Sequence, residues 1–183
     1  AIYISGISYR DRTAFMSTLS QYAESGGGLI LDTGEIADTD VPELSPVSRV
    51  AAKDSSFNLM IANQSEITGS MDLECFSAKL RSSRSRIIYA SGVRNGAVTF
   101  LKDGESPLIV YWKYGASKVI WTGLKMPYLA MLCNDVQESE MLVKMIHYVS
   151  SSVLIDHAAI SFDIGRDSIS VNVKGASENT GIW

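Results

Sequence analysis

The chain has 183 residues, of which 46% are hydrophobic, and its formal net charge is −4. This length allows one sizeable core with a small second unit, and the composition excludes a disordered or fibrous chain. The acidic balance argues against a nucleic-acid partner, because the densest basic group (residues 79–86) alternates with serine and contains no aromatic residue.

The first predicted elements form a strand–helix–strand unit. Residues 2–5 are an apolar strand, and residues 9–24 repeat apolar side chains at helical spacing after Ser8, which is placed to cap the helix. Three glycines at 26–28 end the helix, and a buried strand follows at 29–31. Such a crossover joins parallel strands, so we expect an α/β protein with a mostly parallel sheet.

The middle of the chain predicts a meander. Residues 33–58 are acidic and contain proline, which favours a long, partly irregular excursion, and residues 57–62 predict a strand or a buried turn. Residues 67–80 predict a turn and a short helix. Four apolar strands with turn residues between them are then expected to form an antiparallel meander on the edge of the main sheet, at residues 86–89, 97–102, 107–112 and 119–122.

The last part of the chain predicts a helix and a hairpin. Helical spacing extends to Ser150, and strict alternation of apolar residues then predicts a β-hairpin within 160–173. We therefore expect an α/β domain at 1–150 and, at 151–183, the start of a truncated β-domain. The following residues are expected to be almost fully buried: Phe15, Leu19, Ile30, Val110, Ile120, Leu142, Met145 and Ile146.

The two ends and the two cysteines give further expectations. The chain begins within a predicted strand and ends on Trp183 after another apolar residue, so we expect a fragment of a longer protein. Cys75 and Cys133 lack the spacing of metal ligands, which predicts buried free thiols and leaves a single disulfide open. We expect no cofactor and no metal.

Several ordered motifs carry a family resemblance over residues 1–150. The glycine-terminated helix and the strand at 29–31 are followed by Ile-Thr-Gly at 67–69, Lys-Tyr-Gly at 113–115 and Val-Ile-Trp-Thr-Gly-Leu at 119–124. This order resembles the class I glutamine amidotransferase-like domains, and more narrowly their non-catalytic versions in larger proteins, including the galactosidase trimerisation type. The resemblance implies a flavodoxin-like sheet with an antiparallel edge meander.

The tail at 170–183 is similar to the start of a β-domain in large archaeal multi-spanning membrane proteins. Those proteins are described as related to 6-pyruvoyl-tetrahydropterin synthase or to membrane glycosyltransferases. This second resemblance implies a soluble domain on the extracytoplasmic face of a membrane protein.

The sequence departs from the amidotransferase pattern where the chemistry would lie. The family places a cysteine nucleophile on an elbow that matches residues 31–35, and this chain has Leu-Asp-Thr-Gly-Glu there. Neither His147 nor His157 begins the His-x-Glu pair that the family uses. The resemblance therefore implies no amidotransferase activity and no catalytic residues.

A ligand site is still predicted at the carboxyl ends of the strands. Loop residues Ser8 and Arg10 and the elbow residues Asp32 and Glu35 are expected to converge there. Asp32 and Glu35 could form a carboxylate pair for a hydrolase or a cation site, whereas Arg10 and Asp32 could equally form a structural ion pair. The Asp-Thr-Gly tripeptide also occurs in aspartic proteases, but a single copy beside a βαβ unit argues against that class.

These observations predict a non-catalytic binding or scaffolding module. The alternative is a hydrolase of amides, esters or glycosides that acts through Asp32 and Glu35. Expected partners are a second copy or the rest of the parent chain, and a carbohydrate or small polar ligand. A carbohydrate-stacking surface and ordinary core packing are both open for five aromatic residues: Tyr111, Trp112, Tyr114, Trp121 and Tyr128.

Overall fold

The computed structural model describes residues 1–5, 12–32, 43–52, 56–69, 71–83, 87–124, 136–150, 159–164 and 169–174. The chain divides into two compact units, Ala1–Ser152 and Val153–Trp183. The described helices of the first unit are α1 (Arg12–Glu24), α2 (Leu73–Ser83) and α3 (Val136–Ser150). Its described strands are β1 (Ile2–Ser5), β2 (Leu29–Asp32), β3 (Val47–Ala52), β4 (Leu59–Ile61), β5 (Ile88–Val93), β6 (Val98–Asp103), β7 (Ser106–Tyr114) and β8 (Ser117–Thr122). Within these ranges no helix is long and apolar enough to cross a lipid bilayer.

One half of the main sheet is parallel. β1 pairs with β2, and β2 pairs with β8, all in the same direction. α1 lies between β1 and β2 in the sequence and ends at Glu24. Gly26 then has a φ of 91°, and the N–H of Gly27 donates to the carbonyl oxygen of Tyr22 at 3.0 Å. Glycine adopts this left-handed backbone without strain, so the predicted glycine stop and the parallel strands that flank the helix are confirmed.

The other half of the main sheet is antiparallel. The strand order is β1-β2-β8-β7-β6-β4, in which β7 runs antiparallel to β8 and β6, and β6 runs antiparallel to β4. The sheet of the described strands is therefore mixed, not mostly parallel as predicted. The turns between β6 and β7 and between β7 and β8 are too short for a crossover, so each strand returns beside its predecessor in the opposite direction. The α/β class itself is confirmed.

The β3–β5 ribbon is a separate two-stranded antiparallel sheet. β5 was predicted to belong to the edge meander of the main sheet, and that expectation is wrong. β3 lies within the excursion that was predicted to be partly irregular. Val47 and Val50 of β3 are buried, whereas Ser48 and Arg49 between them are exposed. The ribbon therefore lays one side on the core, and the pairing of β3 with β5 shifts register at this point.

Apolar clusters cover both faces of the main sheet. On one face, Ile30 and Ile120 pack with residues of α2 and α3. On the other face, Leu31 and Val119 pack with residues of α1 and of the β3–β5 ribbon. Strands that are buried on both faces need apolar residues at every position, which explains the uninterrupted apolar runs of β2 and β8.

The predicted core is confirmed in part. Five of the expected residues are buried: Leu19, Ile30, Val110, Ile120 and Met145. Three others are only partly buried at the margins of the clusters: Phe15, Leu142 and Ile146. On α3 the buried stripe consists of Met141, Met145 and Val149, whose spacing of four residues keeps them on one line of the helix.

The second unit contains an antiparallel hairpin among its described residues. β9 (Ala159–Ile164) pairs with β10 (Ile169–Lys174). The register places Phe162 opposite Val171, and Ile160 opposite Val173. The alternation of apolar residues thus predicted the hairpin, and the register found in the structure brings the apolar positions together.

Candidate functional site

The candidate site lies at the carboxyl ends of the three parallel strands. The register places Asp32, the last residue of β2, between Ser5 of β1 and Thr122 of β8. Parallel strands end at the same edge of a sheet, and α/β proteins bind ligands outside that edge. The strand pairing therefore places the carboxyl group of Asp32 beside the hydroxyl group of Thr122, at the edge of the sheet where such a fold binds ligands.

Asp32 is a buried acidic residue, with 1% of its surface exposed. The hydroxyl group of Tyr3, on the adjacent strand β1, donates a hydrogen bond to Oδ2 of Asp32 at 3.0 Å. Burial of a carboxylate is costly unless donors compensate for the lost water, and Tyr3 supplies one such donor. The side chain of Asp32 is thus held in a fixed position by its neighbouring strand.

The end of β8 is shaped by a turn that only glycine fits. Oγ1 of Thr122 accepts a hydrogen bond from the N–H of Leu124 at 3.1 Å. Between them, Gly123 donates to the carbonyl oxygen of Leu108 at 2.9 Å and accepts from the N–H of Ile88 at 3.0 Å. A Cβ atom on Gly123 would overlap the backbone oxygen of Ile88. Thr122 and Gly123 therefore hold the strand end in one conformation beside Asp32.

Of the four predicted ligand residues, only Asp32 lies in the described part of the chain. Ser8, Arg10 and Glu35 fall outside it, so their convergence on Asp32 stays a prediction. The contact of Asp32 with Tyr3 was not predicted. The sequence shows only that both residues lie in or next to short apolar strands, and this does not specify a hydrogen bond between the two strands.

The described cysteine and histidine have ordinary surroundings. Cys75 is a free thiol but is half-buried, not buried as predicted, because it lies in the first turn of α2. Its backbone N–H donates to Oδ1 of the capping residue Asp72 at 3.0 Å. His147 of α3 has 69% of its side chain exposed, and its Nδ1 lies 3.7 Å from a carboxylate oxygen of Glu66. Cys133 and His157 lie outside the described residues. Within the described ranges, no three acidic, histidine or cysteine residues form a group that could hold a metal ion.

A second buried carboxyl group was missed by the sequence analysis. Asp103, at the end of β6, accepts hydrogen bonds from the N–H of Asn58 at 2.8 Å, the hydroxyl group of Tyr89 at 2.7 Å and the N–H of Ser56 at 3.0 Å. The hydroxyl group of Ser56 donates to the same carboxyl group. We call these four residues the Asp103 cluster. In the sequence Asp103 is part of an Asp-Gly turn, and nothing there indicates donors some 14 to 47 residues away.

The Asp103 cluster holds a strained residue. Phe57, between Ser56 and Asn58, has a φ of 50°, a left-handed conformation that is an outlier for a bulky side chain. Asp103 bonds the residues on both sides of it, and the guanidinium group of Arg81 lies 5.3 Å from the centroid of its ring. These contacts stabilise a conformation that costs about 1–3 kcal/mol by itself.

The aromatic residues considered for a carbohydrate surface separate into different places. Trp121 is completely buried, and its Nε1 has no hydrogen-bond partner among the described residues. Tyr111 stacks on Phe100 and meets Tyr148 edge to face on the side of the sheet that α3 covers. Burial raises the pKa of both tyrosines above the ordinary value of 10.0.

Trp112 and Tyr114 remain at the surface of the opposite side. Both are half-buried, and their rings meet at 5.7 Å. Tyr128 falls outside the described residues. Core packing thus accounts for Trp121. Among the aromatic residues that the structure describes, only Trp112 and Tyr114 form an accessible pair.

Comparisons with known proteins identify no family for the chain. No protein-family model matches the sequence, and no curated protein matches it. Among solved structures, the chain is similar to cytoplasmic protein STM3548 from Salmonella typhimurium, with a TM-score of 0.53 and 15% identity. That match covers 73% of this chain and 59% of the other. Cytoplasmic protein STM1381 from Salmonella typhimurium LT2 has a TM-score of 0.50 and 14% identity, over 74% of this chain and 60% of the other.

A β-galactosidase from Bacillus circulans also matches, with 8% identity over 94% of this chain and 26% of that chain. Its TM-score is 0.41, and no argument rests on it. The chain spans about three-fifths of the length of the two Salmonella proteins. At 14–15% identity these likenesses show a shared α/β fold alone.

Proposed function

We propose that this chain is a flavodoxin-like, class I amidotransferase-like domain that binds a small polar ligand and has lost the catalytic residues of that class. The β1–α1–β2 unit with parallel strands supports the fold part of this proposal. The absence of cysteine and histidine from the elbow at residues 31–35 supports the loss of catalysis.

The observation that carries the proposal is the position of Asp32. It is a buried acidic residue at the carboxyl end of a central parallel strand, oriented by Tyr3 and level with Thr122 of the next strand. A carboxylate at that edge accepts hydrogen bonds from hydroxyl or amino groups of a ligand, because an ionised carboxyl group offers about four acceptor sites. The ligand class that follows is small, polar and rich in donors, such as a sugar or an amino acid.

Ligand binding is tested by thermal unfolding with glutamine, neutral monosaccharides and short polyols as probes. We expect one probe class to raise the unfolding temperature, since a ligand at 100 times its Kd adds about 2.7 kcal/mol of stability. Asp32→Asn keeps the shape of the side chain and removes its charge, and should weaken that probe about tenfold or more. Asp103→Asn is the matched control. It also removes the charge of a buried acidic residue, but Asp103 belongs to the Asp103 cluster and is not part of the proposed ligand site.

Four results would decide against the proposal. A panel in which no probe raises the unfolding temperature, or equal binding by Asp32→Asn and the parent chain, would remove Asp32 from a ligand site. Hydrolysis of an amide, ester or glycoside that is lost in Asp32→Asn and Glu35→Gln would establish the hydrolase instead. Glutamine turnover that is lost in Cys75→Ser or Cys133→Ser would restore amidotransferase catalysis.

The wider setting is proposed from the tail resemblance alone. We infer that the chain is an extracytoplasmic, soluble part of a larger archaeal membrane protein, in which it serves as a binding or scaffolding module. It would pack against a second copy or against the rest of the parent chain. The full reading frame tests the membrane setting: apolar spans of about 20 residues around this segment would support it, and their absence would contradict it. The mass of the purified chain in solution tests for a second copy.

A further inference from the structure

Three residues form an accessible platform on the side of the main sheet that carries α1 and the β3–β5 ribbon. Val110, Trp112 and Tyr114 follow one another at every second position of β7. Their side chains therefore point to the same face of the sheet, the one on which Val110 packs. Their ring centroids lie 5.7 Å apart at an interplanar angle of 64°. The guanidinium carbon of Arg94 lies 5.7 Å from the centroid of the Trp112 ring. We call Arg94, Trp112 and Tyr114 the aromatic–arginine platform.

The platform lies where the cover of the sheet ends. Val110, one position nearer the centre on the same face, is completely buried, whereas Trp112 and Tyr114 are half-buried. The side chain of Tyr114 still packs against the core cluster beneath it. Tyr114 is therefore fixed by the core cluster, and Trp112 is held by its contacts with Tyr114 and Arg94. Partly exposed tyrosine and tryptophan rings give a binding surface at little cost in conformational entropy.

Arg94 is fixed in place before any ligand binds. Its backbone N–H donates to the carbonyl oxygen of Pro46 at 3.0 Å, and its Nε donates to the carbonyl oxygen of Ser45 at 2.9 Å. These bonds join the end of β5 to the start of β3 and hold the guanidinium group over the Trp112 ring. A guanidinium group that is already positioned loses less freedom when it binds an anion.

Arg94 lacks an acidic partner in the described part of the chain. The ion pairs there join other residues, such as Lys102 with Glu105 and Lys144 with Glu140. The Nη groups of Arg94 are therefore available for a bidentate bond to an external carboxylate, sulfate or phosphate group. A half-buried arginine stacked on tryptophan, with its Nε bonded and its two Nη groups available, is suited to an anionic ligand with a flat apolar face.

We propose that the aromatic–arginine platform binds an acidic saccharide. Because the two rings are inclined at 64°, the apolar face of a pyranose ring stacks on one of them and its edge meets the other, and the carboxylate or sulfate group of the sugar pairs with Arg94. A single-stranded nucleic acid also combines rings with anions, but the net charge of −4 opposes a polyanion whose binding depends on many cationic contacts. This platform uses none of the residues of the Asp32 site, so the two proposals can fail separately.

The test is a glycan-binding measurement with matched probes. The probes are oligosaccharides that contain uronate, sialate or sulfated sugars, each paired with its methyl ester or its uncharged parent, together with a single-stranded oligonucleotide. We expect at least one acidic glycan to bind, and its uncharged partner to bind at least about tenfold more weakly, since hydrogen bonds to charged groups carry that difference. The indole signal of Trp112 should shift in NMR spectra, whereas that of the buried Trp121 should not.

Variants of the platform locate the binding. Arg94→Gln and Trp112→Leu should each weaken the acidic glycan about tenfold or more. Arg81→Gln is the matched control, because Arg81 also lies over an aromatic ring, 5.3 Å from the centroid of Phe57, and its loss should leave binding unchanged. Circular dichroism confirms that each variant is folded.

The remaining outcomes overturn the proposal. No binding by any acidic glycan, equal binding of charged and uncharged partners, or an equal effect of Arg81→Gln would show that Arg94 recognises no sugar anion. Binding of the oligonucleotide that is lost in the same variants would replace the saccharide with a nucleic acid. If no acidic glycan binds the platform, the Asp32 proposal still stands or falls on its own test, the shift in unfolding temperature that is lost in Asp32→Asn.

Discussion

Replacement of Asp103 by alanine should destabilise the protein through loss of the Asp103 cluster. The carboxyl group accepts hydrogen bonds from two backbone N–H groups and from two hydroxyl groups, those of Ser56 and Tyr89. Ser56 and Asn58 are exposed, so their donors can bond to water after the change. Tyr89 is buried, and its hydroxyl group would lose this acceptor.

The expected cost follows from these surroundings. A hydrogen bond to a charged group contributes about 1.5–3 kcal/mol, which we assign to the bond from Tyr89. Each exposed donor contributes about 0.5–1 kcal/mol, because water replaces part of the bond. Relaxation of Phe57 from its left-handed conformation returns about 1 kcal/mol. We therefore expect Asp103→Ala to lower the free energy of unfolding by about 3 kcal/mol.

Urea denaturation of Asp103→Ala, Tyr89→Phe and the double variant measures this cost. Because the two side chains share a hydrogen bond, the effects of the single changes should not add, and the coupling should be about 1 kcal/mol or more. A loss below about 1 kcal/mol in Asp103→Ala, or additive effects of the two changes, would refute the reasoning. A small loss would mean that Asp103 does not tie the loop at 56–58 to β6, and additive effects would mean that the bond from Tyr89 does not join β5 to β6.

Three further predictions concern packing and pH. Gly123→Ala should cost about 3 kcal/mol or more, since its Cβ would overlap the backbone oxygen of Ile88, whereas Gly115→Ala, with open space around it, should cost about 1 kcal/mol in urea denaturation. Ile30→Ala should cost about 2–5 kcal/mol, because Ile30 is completely buried, and a change under about 0.5 kcal/mol would show that β2 does not lie in the core. Burial, the largest cause, raises the pKa of Tyr148 above 10.0 in the folded chain, so this tyrosine loses its proton more easily when unfolded. Stability should therefore be unaffected below about pH 10 and fall as pH rises through the folded pKa, and Tyr148→Phe should reduce that fall in unfolding temperatures measured from pH 9 to about pH 11.5.

Local signals in the sequence determined most of the elements. Helical spacing and the glycine stop determined α1, because the left-handed conformation of Gly26 is a property of that residue and its immediate neighbours. The apolar run at 29–31 predicted a buried strand, and the clusters on both faces of the sheet confirm that β2 is buried. Alternation likewise predicted the hairpin of β9 and β10.

The tertiary structure alone decided which strands pair and which polar groups meet. β5 has the composition of a meander strand, but its partner is β3, and the residues that join them, Val47 and Val93, are 46 positions apart in the sequence. The bond from Tyr3 to Asp32 spans 29 positions, and the bond from Asn58 to Asp103 spans 45. Periodicity reports only which face of an element is apolar. A partner that arrives from a distant segment is selected by the packing of the whole sheet. For this reason the Asp103 cluster and the position of Arg94 over Trp112 were visible only in the folded chain.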